Sequence, residues 1–191
     1  MKKVIIIGAG GSLAGPVIEE LQKIKDVSLT LFLRNKSKLS SRLLTEAKIV
    51  EGDVMDYVTL KKAIEGQDIV YVNLSGNLEA MAKNIVKAMG ETGVKRIIAI
   101  SSIGIYNTPL RSVLRPYRIL ADVIEASGLD YTILRPDWFT NVNEVDYELT
   151  KKGEPEKGTA ISRKSIAAFI ATIVENPELR KGENLGIAKP A

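Results

Sequence analysis

Gly8, Gly10, Gly11 and Ala14 follow the apolar run Val4-Ile5-Ile6-Ile7, and their spacing is the first chemistry the chain offers. Glycines let a backbone turn tightly and approach a ligand with no Cβ in the way. A helix opening near Ser12 or Leu13 would turn its free N–H groups and positive dipole end toward an anion. That combination suits the pyrophosphate of a dinucleotide. The pattern Gly-x-Gly-x-x-Gly fits Gly8 and Gly10 but fails at Leu13, whereas Gly-x-x-Gly-x-x-Ala fits Gly8, Gly11 and Ala14 throughout. The competing reading is a strand-to-helix turn that holds no ligand.

Further candidates fall at the ends of later apolar runs. Phe32-Leu33 leads into Arg34-Asn35-Lys36-Ser37-Lys38. An acidic residue at that point would hydrogen-bond a ribose 2′-hydroxyl, whereas a guanidinium accommodates a 2′-phosphate. Arg34 and Lys38 therefore favour NADP(H), with NAD(H) as the alternative and a solvated basic loop as the reading without a ligand. Asp53 and Val54, in Glu51-Gly52-Asp53-Val54-Met55-Asp56, suit an adenine amino group and ring, while Asp56 reads as the cap of a helix from Tyr57. Asn73, Ser75 and Gly76 end the fourth run and Ser101-Ser102 the fifth. Their location alone assigns them to the ribose and nicotinamide, since small polar residues suit any loop.

Other chemistries are excluded by composition. The chain has no cysteine and no histidine, which removes disulfides, thiolate nucleophiles, Ser-His-Asp triads and the usual zinc sites; no metal is expected. Proton transfer falls to Tyr, Lys, Asp, Glu, Ser or water. Ser102 and Tyr117 are the candidates, and Tyr106 and Trp138 could wall an aromatic pocket or simply pack. The net charge is +4. Without a clustered basic face or stacking aromatics this speaks for a small anionic ligand rather than nucleic acid. Val4 to Ile7 is too short for a membrane span or a signal-peptide core, so a cytoplasmic protein is expected, with no membrane partner.

The elements that must position these residues alternate along the chain. Strands are expected at Val4–Ile7, Ser28–Leu33, Lys48–Glu51, Ile69–Asn73, Arg96–Ser101 and Tyr131–Leu134. Helical spacing lies between them: Leu13, Val17, Leu21 and Ile24; Leu60 and Ile64; Met81, Ile85 and Met89; Leu120, Val123 and Ile124. Such alternation predicts an α/β, Rossmann-type doubly wound parallel sheet of order 3-2-1-4-5-6, with its ligand crevice at the carboxyl edge between strands one and four. After Pro136 the pattern breaks into a polar loop at 151–159, followed by a helix from Ser165 to Glu175 and a short last strand at Asn184–Ala188. At 191 residues the expectation is a single NAD(P)-binding domain, as monomer or homodimer.

With these residues in place, the chain resembles the NAD(P)H-binding, atypical branch of the short-chain dehydrogenase/reductase superfamily, which includes biliverdin-reductase-B-like flavin reductases and NmrA-like redox sensors. Gly8-x-x-Gly11-x-x-Ala14, Arg34, Gly52-Asp53-Val54, Ser101-Ser102 and above all Ser127-Gly128-Leu129-Asp130-Tyr131-Thr132-Ile133-Leu134-Arg135-Pro136 carry the resemblance. It implies that the backbone from Pro136 through Trp138 to Phe139 passes the nicotinamide, and that the cofactor part lies mainly in 1–136 with a small substrate side in 137–191. The family's tyrosine-lysine dyad is absent. Four residues after Tyr117 stands Ala121, and in the other alignment Tyr117 takes the lysine's place with Val113 where the tyrosine would be. The resemblance thus implies either a reductase that passes hydride to a small acceptor such as a flavin or quinone, or an NADP(H)-binding sensor without turnover. A nucleotide-sugar epimerase shares the fold but normally needs the dyad and a larger substrate region.

Overall fold

The computed structural model describes residues 1–39 and 46–191. Ten strands and five helices are formed among them. The strands are β1 (Lys2–Ile7), β2 (Val27–Leu33), β3 (Lys48–Glu51), β4 (Ile69–Val72), β5 (Arg96–Ile100), β6 (Asp130–Pro136), β7 (Phe139–Thr140), β8 (Glu148–Lys151), β9 (Ile161–Ser162) and β10 (Glu183–Ala188). The helices are α1 (Ala14–Gln22), α2 (Tyr57–Ile64), α3 (Leu78–Thr92), α4 (Arg115–Glu125) and α5 (Arg163–Glu175). The main sheet runs β3-β2-β1-β4-β5-β6-β10-β8, parallel except for β8, and β7 pairs with β9 in a second small sheet. This is the doubly wound order expected, extended by two strands.

Alternating side chains of each strand go to opposite layers, which is why the strands read as unbroken apolar runs. Val4 and Ile6 of β1 pack in one core with α1 and α5, and Ile5 and Ile7 pack in the other with α2, α3 and α4. Helix boundaries follow local chemistry. Asp56 caps α2, its Oδ1 accepting from the Thr59 amide, and Asn77 does the same for α3 through the Ala80 amide. Helix α3 ends at Gly93 in the left-handed region, φ +77°. Helix α1 differs: its N-cap is Leu13 and no side chain caps it.

One expectation about the C-terminal part needs correction, and the expected last strand is formed. The polar loop expected from Lys151 begins one residue later, because Glu148–Lys151 pairs antiparallel with the last strand. That last strand is a full member of the sheet, lying parallel to β6 over Glu183–Ile187. The buried guanidinium of Arg96 helps hold it there. Its Nε donates to the Pro177 carbonyl at 2.8 Å and its Nη2 to the Leu179 carbonyl at 3.0 Å, while Nη1 donates to the Asp130 carbonyl at 2.8 Å. The turn that feeds β10 is thereby fixed to the start of β6. Among the described residues no helix is long and apolar enough to cross a membrane.

Candidate functional site

Strand β1 delivers the glycine turn to the middle of the carboxyl edge. Gly8 has φ +91°, and a Cβ there would overlap the carbonyl oxygen of Asn73 at the end of β4. A Cβ on Gly11 would lie 2.9 Å from the Asn73 side-chain nitrogen. Gly8 is therefore required by the approach of β4, whatever is bound, whereas at Gly11 the Asn73 side chain can shift; Ala14 is fully buried. The turn is held by the Gly8 and Ala9 amides, which donate to the Phe32 carbonyl, and by the Gly11 amide, which donates to Gly8. Among the described residues, the amides of Gly10, Ser12 and Leu13 have no protein acceptor. With α1 uncapped, the donors of the exposed Gly10 and Ser12 form an open anion cradle. Leu13, expected at the ligand, is 1% exposed and packs in the core instead of lining a cavity.

A cavity of about 520 Å³ opens from this turn toward β2 and β3. Gly8, Gly10, Gly11, Arg34, Lys38, Asp53, Val54, Asn73 and Ser75 line it, together with Leu74 and Met81, which the sequence reading did not single out. The Asn35 side chain accepts from the Ser37 amide and starts a single 3-10 turn that carries Lys38 back over Gly10, its Cδ 3.3 Å from where a Cβ would sit. Lys36 is drawn off to Glu51, whose Oε1 accepts its amide at 3.4 Å. Among the described residues Arg34 and Lys38 have no ion pair, so two unspent cations face the cavity. Asp53 Oδ1 accepts from the Met55 amide at 2.8 Å, and Val54 is buried beside Met81. Asp56 acts as the cap expected of it.

A second cavity, of about 530 Å³, continues toward β5 and β6 and shares Gly11, Asn73, Leu74 and Ser75 with the first. Ser12, Ser101, Ser102, Tyr117, Pro136 and Trp138 line it, with Asp137 and Phe139 of the segment expected there, as do the unanticipated Arg111 and Leu114. Ser101 Oγ donates to the Tyr117 carbonyl at 3.0 Å, tying α4 to the end of β5, and Ser102 Oγ donates to the Ile103 carbonyl at 3.1 Å. Val113 and Tyr117 both line the cavity, while Ala121 is buried in the core. The pair facing the cleft is therefore Val113 and Tyr117, and no lysine lines this cavity.

Two expected residues lie elsewhere. Gly76 lines neither cavity; at φ +102° it makes the turn into α3. Tyr106 faces the cations Arg118, Arg135 and Lys152 at 4.7, 5.3 and 4.9 Å from its ring, and its hydroxyl accepts from the Asn184 side chain at 2.7 Å. Burial pushes that hydroxyl's pKa up. Its role is packing behind the cleft. Arg135, 1% exposed, gives its Nε to Glu156 at 2.8 Å, and the other oxygen of Glu156 accepts the Gly104 amide at 3.0 Å. This bridge joins β6 to the loop after β5 that carries Ser102. Among the described residues no cluster of three or more potential metal ligands occurs.

Comparisons with known proteins agree with this layout. A family model described as NAD(P)H-binding matches residues 8–177. The fold is similar to that of a Rossmann-fold NAD(P)-binding family protein from Shigella flexneri, with 47% identity, TM-score 0.93, and coverage of 100% of this chain and 95% of that one. It is also similar to a short-chain dehydrogenase/reductase from Veillonella parvula DSM 2008 in complex with NADP, at 25% identity and TM-score 0.90, covering 100% and 95%. Among curated proteins the chain is 28% identical to an uncharacterized sugar epimerase, YhfK, of Bacillus subtilis over 184 residues, covering 86% of this chain and 79% of that protein. It is also 28% identical to the isoflavone reductase homolog A622 of Nicotiana tabacum, but spans only 64% of that longer protein.

Proposed function

The chain belongs to the NAD(P)H-binding family, and from that premise we propose that it is an NADPH-dependent reductase of a small acceptor such as a flavin or quinone. The observation that carries the reading is the continuous cleft along the carboxyl edge. One end holds the cations Arg34 and Lys38, unpaired among the described residues, the middle holds the free amides of the glycine turn, and the other end holds Ser102 and Tyr117. The cradle and the cations match a ligand with a pyrophosphate and a 2′-phosphate. NAD(H) would leave Arg34 and Lys38 without a partner. Bound there, NADPH would supply a hydride from its nicotinamide ring.

The chain's own residues then have separable tasks. Arg34 and Lys38 hold the 2′-phosphate, Asp53 and Val54 take the adenine with Met81, and Asn73, Ser75 and Ser101 flank the ribose and nicotinamide. Pro136 and Trp138 close the far side. Ser102 and Tyr117 orient the acceptor, and the proton that accompanies hydride comes from water or from the Tyr117 hydroxyl; among the described residues no lysine lines this cavity. In this reading residues 1–136 form the cofactor part and 137–191 the substrate side of one domain. A second reading, a redox sensor that binds NADP(H) without turnover, draws on the same missing lysine.

Calorimetry of NADPH binding, followed in the same sample by absorbance of the reduced nicotinamide with flavins and quinones, tests both. Tight binding with acceptor-dependent oxidation is expected. Tight binding with no oxidation by any acceptor favours the sensor, and no binding of either dinucleotide overturns the cofactor assignment.

A further inference from the structure

We propose that Glu156, which lines neither cavity, is a positioning residue for the acceptor end of the cleft. Its carboxylate fixes the spacing between the wall that carries Ser101 and Ser102 and the wall that runs from Pro136 to Phe139. The inference rests on the reductase reading and assigns that site a further residue. Both walls line the second cavity. Glu156 stands in the connection between β8 and β9 and is 20% exposed. Its Oε1 accepts from Arg135 Nε at 2.8 Å and its Oε2 from the Gly104 amide at 3.0 Å. Arg135 directly precedes Pro136, and Gly104 follows Ser102 by two residues. One carboxylate thus joins the roots of both walls.

The two walls are also joined through the backbone, and Glu156 takes over where that ends. The Ser101 amide donates to the Leu134 carbonyl at 2.7 Å and the Ile103 amide to the Pro136 carbonyl at 3.1 Å. At Gly104, with φ +80°, the chain turns away from β6, and the next amide is accepted by the glutamate. Arg135 holds the other end still. Its Nη1 donates to the Asn184 carbonyl of β10 at 2.8 Å, and its guanidinium lies 5.3 Å from the Tyr106 ring centroid. Two donors on opposite walls call for a group with two acceptor oxygens and no N–H, which is a carboxylate. Its charge makes both bonds stronger than neutral ones.

Glu156→Gln keeps the size and removes one acceptor. Three quantities are read below the unfolding temperature: NADPH affinity by calorimetry, kcat with the acceptor the parent reduces fastest, and the emission of Trp138 in the NADPH-loaded protein. Trp138 is the chain's only tryptophan, follows Arg135 by three residues and reports the wall without turnover. In Glu156→Gln, kcat is expected to fall about tenfold or more and Trp138 emission to change, with the NADPH Kd within about twofold of the parent. Gly93→Ala strains a left-handed helix end outside both cavities and should leave all three unchanged. If Glu156→Gln does not fold, the double variant with Arg135→Met, which leaves no unpaired carboxylate, carries the same measurements. Unchanged kcat, unchanged Trp138 emission, or a loss of NADPH affinity as large as the loss of kcat overturns the inference. An equal fall of kcat in Gly93→Ala also overturns it, by making the effect one of stability alone. Turnover by the parent that Glu156→Gln retains in full leaves the reductase reading standing without the brace. No turnover by the parent with any acceptor removes the reductase reading, and Trp138 emission with NADPH bound then decides whether Glu156 positions the wall.

Discussion

Glu51 engages Lys36, and among the described residues Arg34 and Lys38 make no ion pair. Arg34→Glu is therefore expected to weaken NADPH binding at least about tenfold relative to NADH, the size of a lost charge-assisted contact. Calorimetry with both dinucleotides checks it, and an unchanged ratio would remove the 2′-phosphate assignment. Tyr117 is a sharper case. Among the described residues Tyr117 is the only tyrosine lining the second cavity, so Tyr117→Phe should lower turnover by about tenfold or more if it donates the proton. Turnover equal to the parent with the same acceptor would assign that proton to water. Arg34 was legible in the sequence because it directly follows a strand whose end must lie at the carboxyl edge. Arg111 was not, since the stretch from Asn107 to Arg115 has no periodicity and only the folded connection brings it to the cleft.

Among the elements, the turn from β1 into α1 and the cap of α2 make separable predictions. Gly8→Ala must place a Cβ against the Asn73 carbonyl at φ +91°. A loss of about 2 kcal/mol or more is expected, from left-handed strain and overlap together, with NADPH binding falling as the turn shifts; chemical denaturation that shows no change would mean β4 can yield. The cap of α2 responds to acid. Hydrogen bonds from the Thr59 side chain, then its amide, hold the Asp56 carboxyl below its usual 3.8. A depressed folded-state pKa stabilises above the unfolded value and ceases to do so as pH falls through the folded one. Protection of the Thr59 amide against exchange should thus be constant above about pH 4 and drop below it, and Asp56→Ala should abolish that dependence. Sequence reading located this cap, because an aspartate before a helical run is a local signal. It missed β8, four residues whose strand character exists only through pairing with β10.

Across the whole molecule, the Arg135–Glu156 bridge ties the loop before β9 to the sheet. Arg135 reaches the Asn184 carbonyl at 2.8 Å as well as Glu156, and Glu156 holds the Gly104 amide. Arg135→Met leaves the partly buried Glu156 without its cation and should cost about 3 kcal/mol, read as a fall in melting temperature. The double variant with Glu156→Gln should recover part of that loss, because no unpaired carboxylate then remains; strict additivity of the two would show that they do not interact. The same hierarchy divides what the chain's letters determined from what the fold decided. Six parallel strands, their order, the glycine turn and the basic corner at Arg34 were readable, since each is written in a few contiguous residues through burial on both strand faces, turn geometry and charge. The convergence of Arg111, Tyr117, Asp137 and Trp138 on one cavity, the need for Gly8 imposed by the Asn73 carbonyl, and the removal of Tyr106 behind the cleft were decided only by tertiary structure. Those contacts join segments far apart in the chain, and their geometry is set by how the sheet twists and which face each connection crosses, which no local pattern encodes.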